Sequence, residues 1–206
     1  MPVASRFAIA LKKSLFGLLL ASAVALTGCD GSQPRFSSID LTGASFGREF
    51  RLSDPDGKER SLADFRGKVV MIFFGFVQCP QVCPTALARA GAVREMLGAD
   101  GKKVQVIFIT VDPERDTPEI LKAYTAAFDP SFLALYGDVE RTKAVAGEFR
   151  VFYNKVPTGS SYTMDHSATT YVFDGQGRLR LGVNHTGSAE ELAADVRLLI
   201  STEPNS

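Results

Sequence analysis

The sequence predicts an α/β domain with a central mixed sheet flanked by helices and an extra N-terminal hairpin. Three observations carry this. Two near-continuous apolar runs, Val69–Phe74 and Lys103–Val111, have the length, β-branching and aromatic content of buried strands. Strand and helix patterns then alternate along the chain in α/β order. Turn signals at Asp56-Gly57 and at Asp174-Gly175-Gln176-Gly177 mark a hairpin near each end of that alternation.

The first 28 residues stand apart from the fold. Arg6, Lys12 and Lys13 form a positive start, and the apolar stretch Leu15–Leu26 is too short to span a bilayer comfortably. It ends in Leu26-Thr27-Gly28-Cys29, which resembles the lipobox of bacterial lipoproteins and implies cleavage before Cys29 and diacylglyceryl attachment to it. Asp30 resembles an inner-membrane retention signal of some bacteria. Residues 1–28 are therefore expected to be a signal peptide, 29–38 a lipidated, flexible tether, and 39–202 the folded domain. The expected location is the bacterial cell membrane, lipid-anchored and facing the periplasm.

Within the domain, Phe46–Leu52 and Lys58–Leu62 flank the turn Asp54-Pro55-Asp56-Gly57 as a hairpin. Gly75 closes the strand Val69–Phe74, and helical spacing resumes after Pro84 at Ala86, Leu87, Val93, Met96 and Leu97. After the second core strand, Asp116-Thr117-Pro118-Glu119 combines a cap, an early proline and an acid, and predicts a helix to about Phe128. Phe132–Tyr136 reads as a short strand, and Asp138 caps a further helix through Phe149. Tyr153–Ser167 is polar, with Pro157, Gly159 and Ser160-Ser161, and reads as a long irregular loop. Ala168–Phe173 and Arg178–Val183 form the second hairpin, and Ser188-Ala189-Glu190-Glu191 opens the last helix with a capping box, to about Ile200.

Charge excludes one class of function. The chain balances 23 basic against 23 acidic residues. Three of the basic residues and none of the acidic ones lie in 1–28, which leaves 20 against 23 beyond it, formally −3. There is no basic stripe and no nucleic-acid motif, so no nucleic-acid partner is expected.

The chemistry concentrates in Cys79-Pro80-Gln81-Val82-Cys83-Pro84, where the first core strand hands over to a helix. A helix N-terminus favours thiolate over thiol. Spacing of i and i+4 puts both sulfurs on one helical face, able to close a disulfide or to converge on one soft metal ion. With Cys29 assigned to lipid, these two are the remaining cysteines, and they sit outside the cytosol, where dithiols oxidise unless reduced or held on metal. A dithiol at the first strand–helix junction is the thioredoxin-like arrangement. Of the two histidines, His166 precedes a strand at the end of the long loop and is free to reach the thiols, whereas His185 reads as a surface residue. Two thiolates and an imidazole suit copper, above all Cu(I), and zinc less specifically. Asp165 is either an outer partner that orients the site or a turn cap, and Met164 either an axial thioether or a packed side chain.

These residues carry a resemblance. Phe74-Gly75-Phe76 leading into Cys79–Pro84, the segment Val111-Asp112-Pro113-Glu114-Arg115-Asp116-Thr117-Pro118, and Asp165-His166-Ser167 before a strand resemble the Sco/SenC family of copper-binding thioredoxin-fold proteins, over residues 38–200. The resemblance implies Cu(I) or Cu(II) held by Cys79, Cys83 and His166, with Asp112 near the site as a tuning residue or an ordinary turn residue. It implies delivery of copper to the copper-receiving subunit of cytochrome c oxidase, with another periplasmic copper chaperone or a thiol reductant upstream. Two departures stand out: Gln81 where the family usually has an acid, and Val77-Gln78 where it usually has Thr-His. The alternative from a different class is a thiol–disulfide oxidoreductase or redox sensor, in which Cys79 attacks, Cys83 resolves and His166 is dispensable.

Overall fold

The computed structural model describes residues 35–202. Positions 1–34, including the expected signal peptide and Cys29, lie outside the described residues. Among the described residues no helix is long and apolar enough to cross a membrane.

The strands are β1 (Ile39–Asp40), β2 (Leu52–Ser53), β3 (Glu59–Arg60), β4 (Val69–Gly75), β5 (Val104–Thr110), β6 (Leu133–Leu135), β7 (Tyr153–Thr158), β8 (Ser161–His166), β9 (Thr170–Phe173) and β10 (Leu179–Val183). The helices are α1 (Val82–Met96), α2 (Pro118–Ala126), α3 (Val139–Glu148) and α4 (Ala189–Ser201). One six-stranded sheet runs in the order β1-β10-β9-β4-β5-β6. β4, β5 and β6 are parallel, while β9, β10 and β1 are added antiparallel, so the sheet is mixed as expected.

Every residue of β4 is buried, which is why it reads as an unbroken apolar run. Its side chains alternate between two covered faces. Phe74 packs its ring 5.1 Å from that of Phe149, just beyond α3. The opposite face carries Phe73 and Gly75, and there α1 brings Cys83 against the strand. At Gly75 a Cβ would stand 2.6 Å from Cys83 Sγ and 2.8 Å from Phe108, so only glycine leaves room for the thiol. β4 and β5 stay in register to Gly75↔Thr110, and Val111 N–H donates to the Gly75 carbonyl at 2.8 Å, so the two C-terminal ends open side by side.

The N-terminal hairpin pairs only Leu52↔Arg60 and Ser53↔Glu59, shorter than the sequence predicts. Its turn is held by the buried Asp54 carboxylate, which accepts from the backbone of Asp56 and Lys58 and from Arg60 Nε. Ser37 and Ser38, expected to end the tether, donate their backbone N–H groups to Asp195 on α4 at 2.8 and 2.9 Å. The helix after β5 starts where the sequence predicts, capped by Thr117, whose side chain accepts from Ile120 N–H.

The clearest correction concerns 153–167. This segment is not an irregular loop but a two-stranded ribbon, β7–β8, paired from Tyr153↔His166 to Thr158↔Ser161. Gly159 takes a positive φ of 61° at the two-residue turn, where the geometry calls for glycine. Most of β7 is exposed, so the ribbon lacks the one-sided apolar pattern that marks a sheet strand.

Candidate metal centre

Three chain segments meet at the open end of β4. The first is the turn Phe76–Pro80, where Cys79 N–H donates to the Phe76 carbonyl at 3.2 Å. The second is the first turn of α1, which carries Cys83, fully buried. The third is the end of β8, which brings in His166 from across the fold.

Helix α1 begins at Val82 without a side-chain cap from Gln81. Cys79 takes that role: its Sγ accepts the backbone N–H of Cys83 at 3.4 Å. His166 Nε2 stands 3.5 Å from Cys83 Sγ and 4.0 Å from Cys79 Sγ, and all three ligand atoms lie within 4.8 Å of one another. Metal–sulfur bonds of about 2.3 Å and metal–nitrogen bonds of about 2.0 Å, the zinc values, put sulfur and nitrogen about 3.7 Å apart in a trigonal site. The observed spacings bracket that distance. Soft sulfur with borderline nitrogen is the donor set that selects copper or zinc over hard cations.

The imidazole stands edge-on to Phe73 and Phe76, with ring centroids 6.0 and 5.7 Å away. Its Nδ1 lies 2.9 Å from the Ser167 carbonyl, which fixes the ring with Nε2 toward the sulfurs. Strand alternation sends Asp165 to the other side, where it is exposed, while Met164 shares the His166 face and is buried. The outer contact to His166 thus comes from a backbone carbonyl. Met164 borders the cleft of about 300 Å³ that also receives Cys79, Gln81 and His166.

The two thiols differ sharply. A hydrogen bond from the Cys83 thiol, helped by His166 and by the N–H groups of Cys83 and Gln81, outweighs burial and lowers the Cys79 pKa to about 4. Cys83 is pushed far upward, by donating to Cys79 and then by its own burial. Burial opposes charge on His166, but its bonds to Cys79 and Ser167 prevail and raise its pKa.

Asp112 is buried and accepts from Tyr162 Oη at 2.8 Å and from Arg115 Nε. These bonds tie it to Arg115 and to the neighbouring ribbon. Asp116 is buried behind the cysteine turn, accepting from Thr110 Oγ1 at 2.6 Å and Val77 N–H at 3.1 Å. Gln78, one of the two departures, accepts from Arg115 Nη1 at 3.1 Å. His185 is exposed, as expected, on a loop whose carbonyls at 184, 185 and 187 are gathered by the buried Arg89. The sequence assigns neither Arg89 nor Arg115 a role of its own, because the bonds that give each its role reach partners distant along the chain.

Comparison with known proteins agrees with this geometry. The family described as SCO1/SenC matches residues 40–201. An SCO2-like protein of Rickettsia prowazekii is 40% identical over 135 residues, covering 64% of this chain and 66% of that protein. The human mitochondrial SCO2 homolog is 37% identical over 153 residues, covering 72% of this chain and 58% of that protein. The chain thus spans less than two thirds of either relative. Among solved structures, Bradyrhizobium japonicum ScoI with copper bound is 42% identical with a TM-score of 0.69, covering 75% of this chain and 99% of that one. Yeast Sco1 with copper bound is 31% identical with a TM-score of 0.70, covering 78% and 91%.

Proposed function

The chain belongs to the SCO1/SenC family, and from that premise we propose that it is a membrane-tethered copper metallochaperone. It binds one copper ion through Cys79 Sγ, Cys83 Sγ and His166 Nε2 and passes it by ligand exchange to the copper-receiving subunit of cytochrome c oxidase. The observation that carries this reading is the convergence of those three atoms within 4.8 Å of one another. The copper bound in the bacterial and yeast relatives supports the choice of metal. Cys29 anchors the chain to the bacterial membrane by its lipid, so that the domain faces the periplasm, where another copper chaperone or a thiol reductant supplies it. Copper titration of Cys79→Ala, Cys83→Ala and His166→Ala tests the ligand set. Each substitution should weaken binding severely, and undiminished 1:1 binding in all three would sink the proposal.

One observation favours a second reading, thiol–disulfide exchange. Cys79 is poised as thiolate while Cys83 is buried and held as thiol, an asymmetry suited to attack by the first and resolution by the second. The discriminating result is exchange with a partner disulfide that proceeds without copper and survives His166→Ala.

A further inference from the structure

The β7–β8 ribbon bears His166 yet, among the described residues, pairs with no strand of the central sheet. The Ser167 carbonyl orients the ring, but the ribbon itself is held against the cysteine turn by contacts other than sheet pairing. Arg115 is the residue placed to make them. Its Nε is bound by Asp112, which is 1% exposed and therefore a fixed anchor. Its Nη1 donates both to the Tyr162 carbonyl on β8, at 2.8 Å, and to Gln78 Oε1, at 3.1 Å. Gln78 is the residue immediately before Cys79. The guanidinium also lies 3.7 Å from the centre of the Tyr162 ring, whose hydroxyl returns to Asp112. One planar cation thus joins the cysteine turn to the histidine ribbon, and Lys155–Glu114 adds an exposed ion pair alongside.

The geometry points to Arg115 as a positioning residue for the metal centre, a clasp that fixes the His166 ribbon against the Cys79 turn and so sets how tightly the imidazole is held at a copper ion bound by the two thiolates. This rests on the proposed copper reading of the site. The clasp leaves the thiol pair untouched, because none of its bonds reaches a sulfur. A planar fork is needed for it: lysine offers a point charge and cannot reach Gln78 and Tyr162 together while stacking on the ring.

The test uses the full chain purified in detergent micelles and compares wild type with Arg115→Ala, Arg115→Lys, Tyr162→Phe and His166→Ala. The first readout needs no metal. In amide hydrogen exchange, Arg115→Ala should speed exchange across Ser161–His166 by roughly tenfold, while the amides of β4 and β5 keep their wild-type rates. Arg115→Lys should behave nearly as Arg115→Ala. Tyr162→Phe removes only the hydroxyl bond to Asp112, so it should raise exchange in the same segment by a smaller factor and serves where Arg115→Ala does not fold. The second readout is the rate at which Cu(I) passes to an excess of a chromogenic Cu(I) chelator. Arg115→Ala should release copper roughly tenfold faster. The double variant with His166→Ala should release it no faster than His166→Ala alone, since the clasp acts through the imidazole. Unchanged ribbon exchange in the Arg115 and Tyr162 variants would overturn the proposal, as would effects of Arg115→Ala and His166→Ala on release that multiply in full. If ribbon exchange rises but His166→Ala leaves copper release unchanged, the clasp stands and the copper reading of the site is what fails.

Discussion

His166 and Cys83 lie 83 positions apart in the chain, yet Nε2 and Sγ come within 3.5 Å. The contact joins a helix N-terminus to a ribbon outside the central sheet. It turns a dithiol, which by itself is redox chemistry, into a three-atom site suited to a soft metal ion.

That site depends on a residue with no side chain. Gly75→Ala should destabilise the protein by about 1–3 kcal/mol, the cost of overpacking a filled core, because the new methyl meets the Cys83 sulfur and the Phe108 ring. Urea unfolding with the metal absent measures it, and an unchanged midpoint would show that Cys83 has room to move.

The thiol asymmetry predicts a pH profile. With a Cys79 pKa of about 4, its thiolate is fully present at neutral pH and is lost only as pH falls through that value. Alkylation by iodoacetamide, followed peptide by peptide in the reduced, metal-free protein, should therefore run at a nearly constant rate from pH 8 to 6 at Cys79 and fall below about pH 4. Cys83 should stay slow throughout, buried and held as thiol. A Cys79 profile rising about tenfold per pH unit up to the ordinary thiol range of about 8.5 would contradict this assignment.

Much of this architecture is legible in the sequence, and the reasons are local. β4 and β5 announce themselves because both their faces are covered, which requires continuous apolar residues. The last helix is visible in Ser188 and Glu191, whose reciprocal capping is present. The dithiol is legible as spacing. The ribbon is not, because β7 is exposed on most of its length and shows no alternation, and Pro157 and Ser160-Ser161 look like loop. His166 therefore rests on resemblance in the sequence and on distance in the structure. The role of Arg115 is hidden for another reason: although it lies in a segment that carries the resemblance, its partners Gln78 and Tyr162 lie 37 and 47 positions away.

A second buried guanidinium makes a stability prediction. Arg89 donates Nη1 to the carbonyls of Asn184, His185 and Gly187 at 2.9, 3.1 and 2.8 Å. Arg89→Ala would leave these acceptors without their donor and should cost about 2–4 kcal/mol by denaturant unfolding, while copper stoichiometry at the thiols stays at wild type. A cost within 0.5 kcal/mol would show that water replaces the side chain.

Acid stability should depend on Asp54. Burial works to raise its pKa, but the hydrogen bond to Arg60 and those from Lys58 and Asp56 prevail and hold it below the ordinary carboxylate value. A depressed folded pKa stabilises the fold above the unfolded pKa, and that contribution is lost as pH falls through the folded one. Asp54→Asn should therefore lower stability at pH 7 and flatten its decline between about pH 5 and 3, read by thermal unfolding across pH. An equally steep decline would assign the acid sensitivity elsewhere.

In the proposed site the imidazole and the two sulfurs act on one ion. Anaerobic Cu(I) titration of the reduced protein, wild type against His166→Ala, tests it most directly. Wild type should bind one copper per chain, and His166→Ala should bind it much more weakly. Weak binding in wild type, or affinity indifferent to His166, would mean that the dithiol works alone, and thiol–disulfide exchange would take its place.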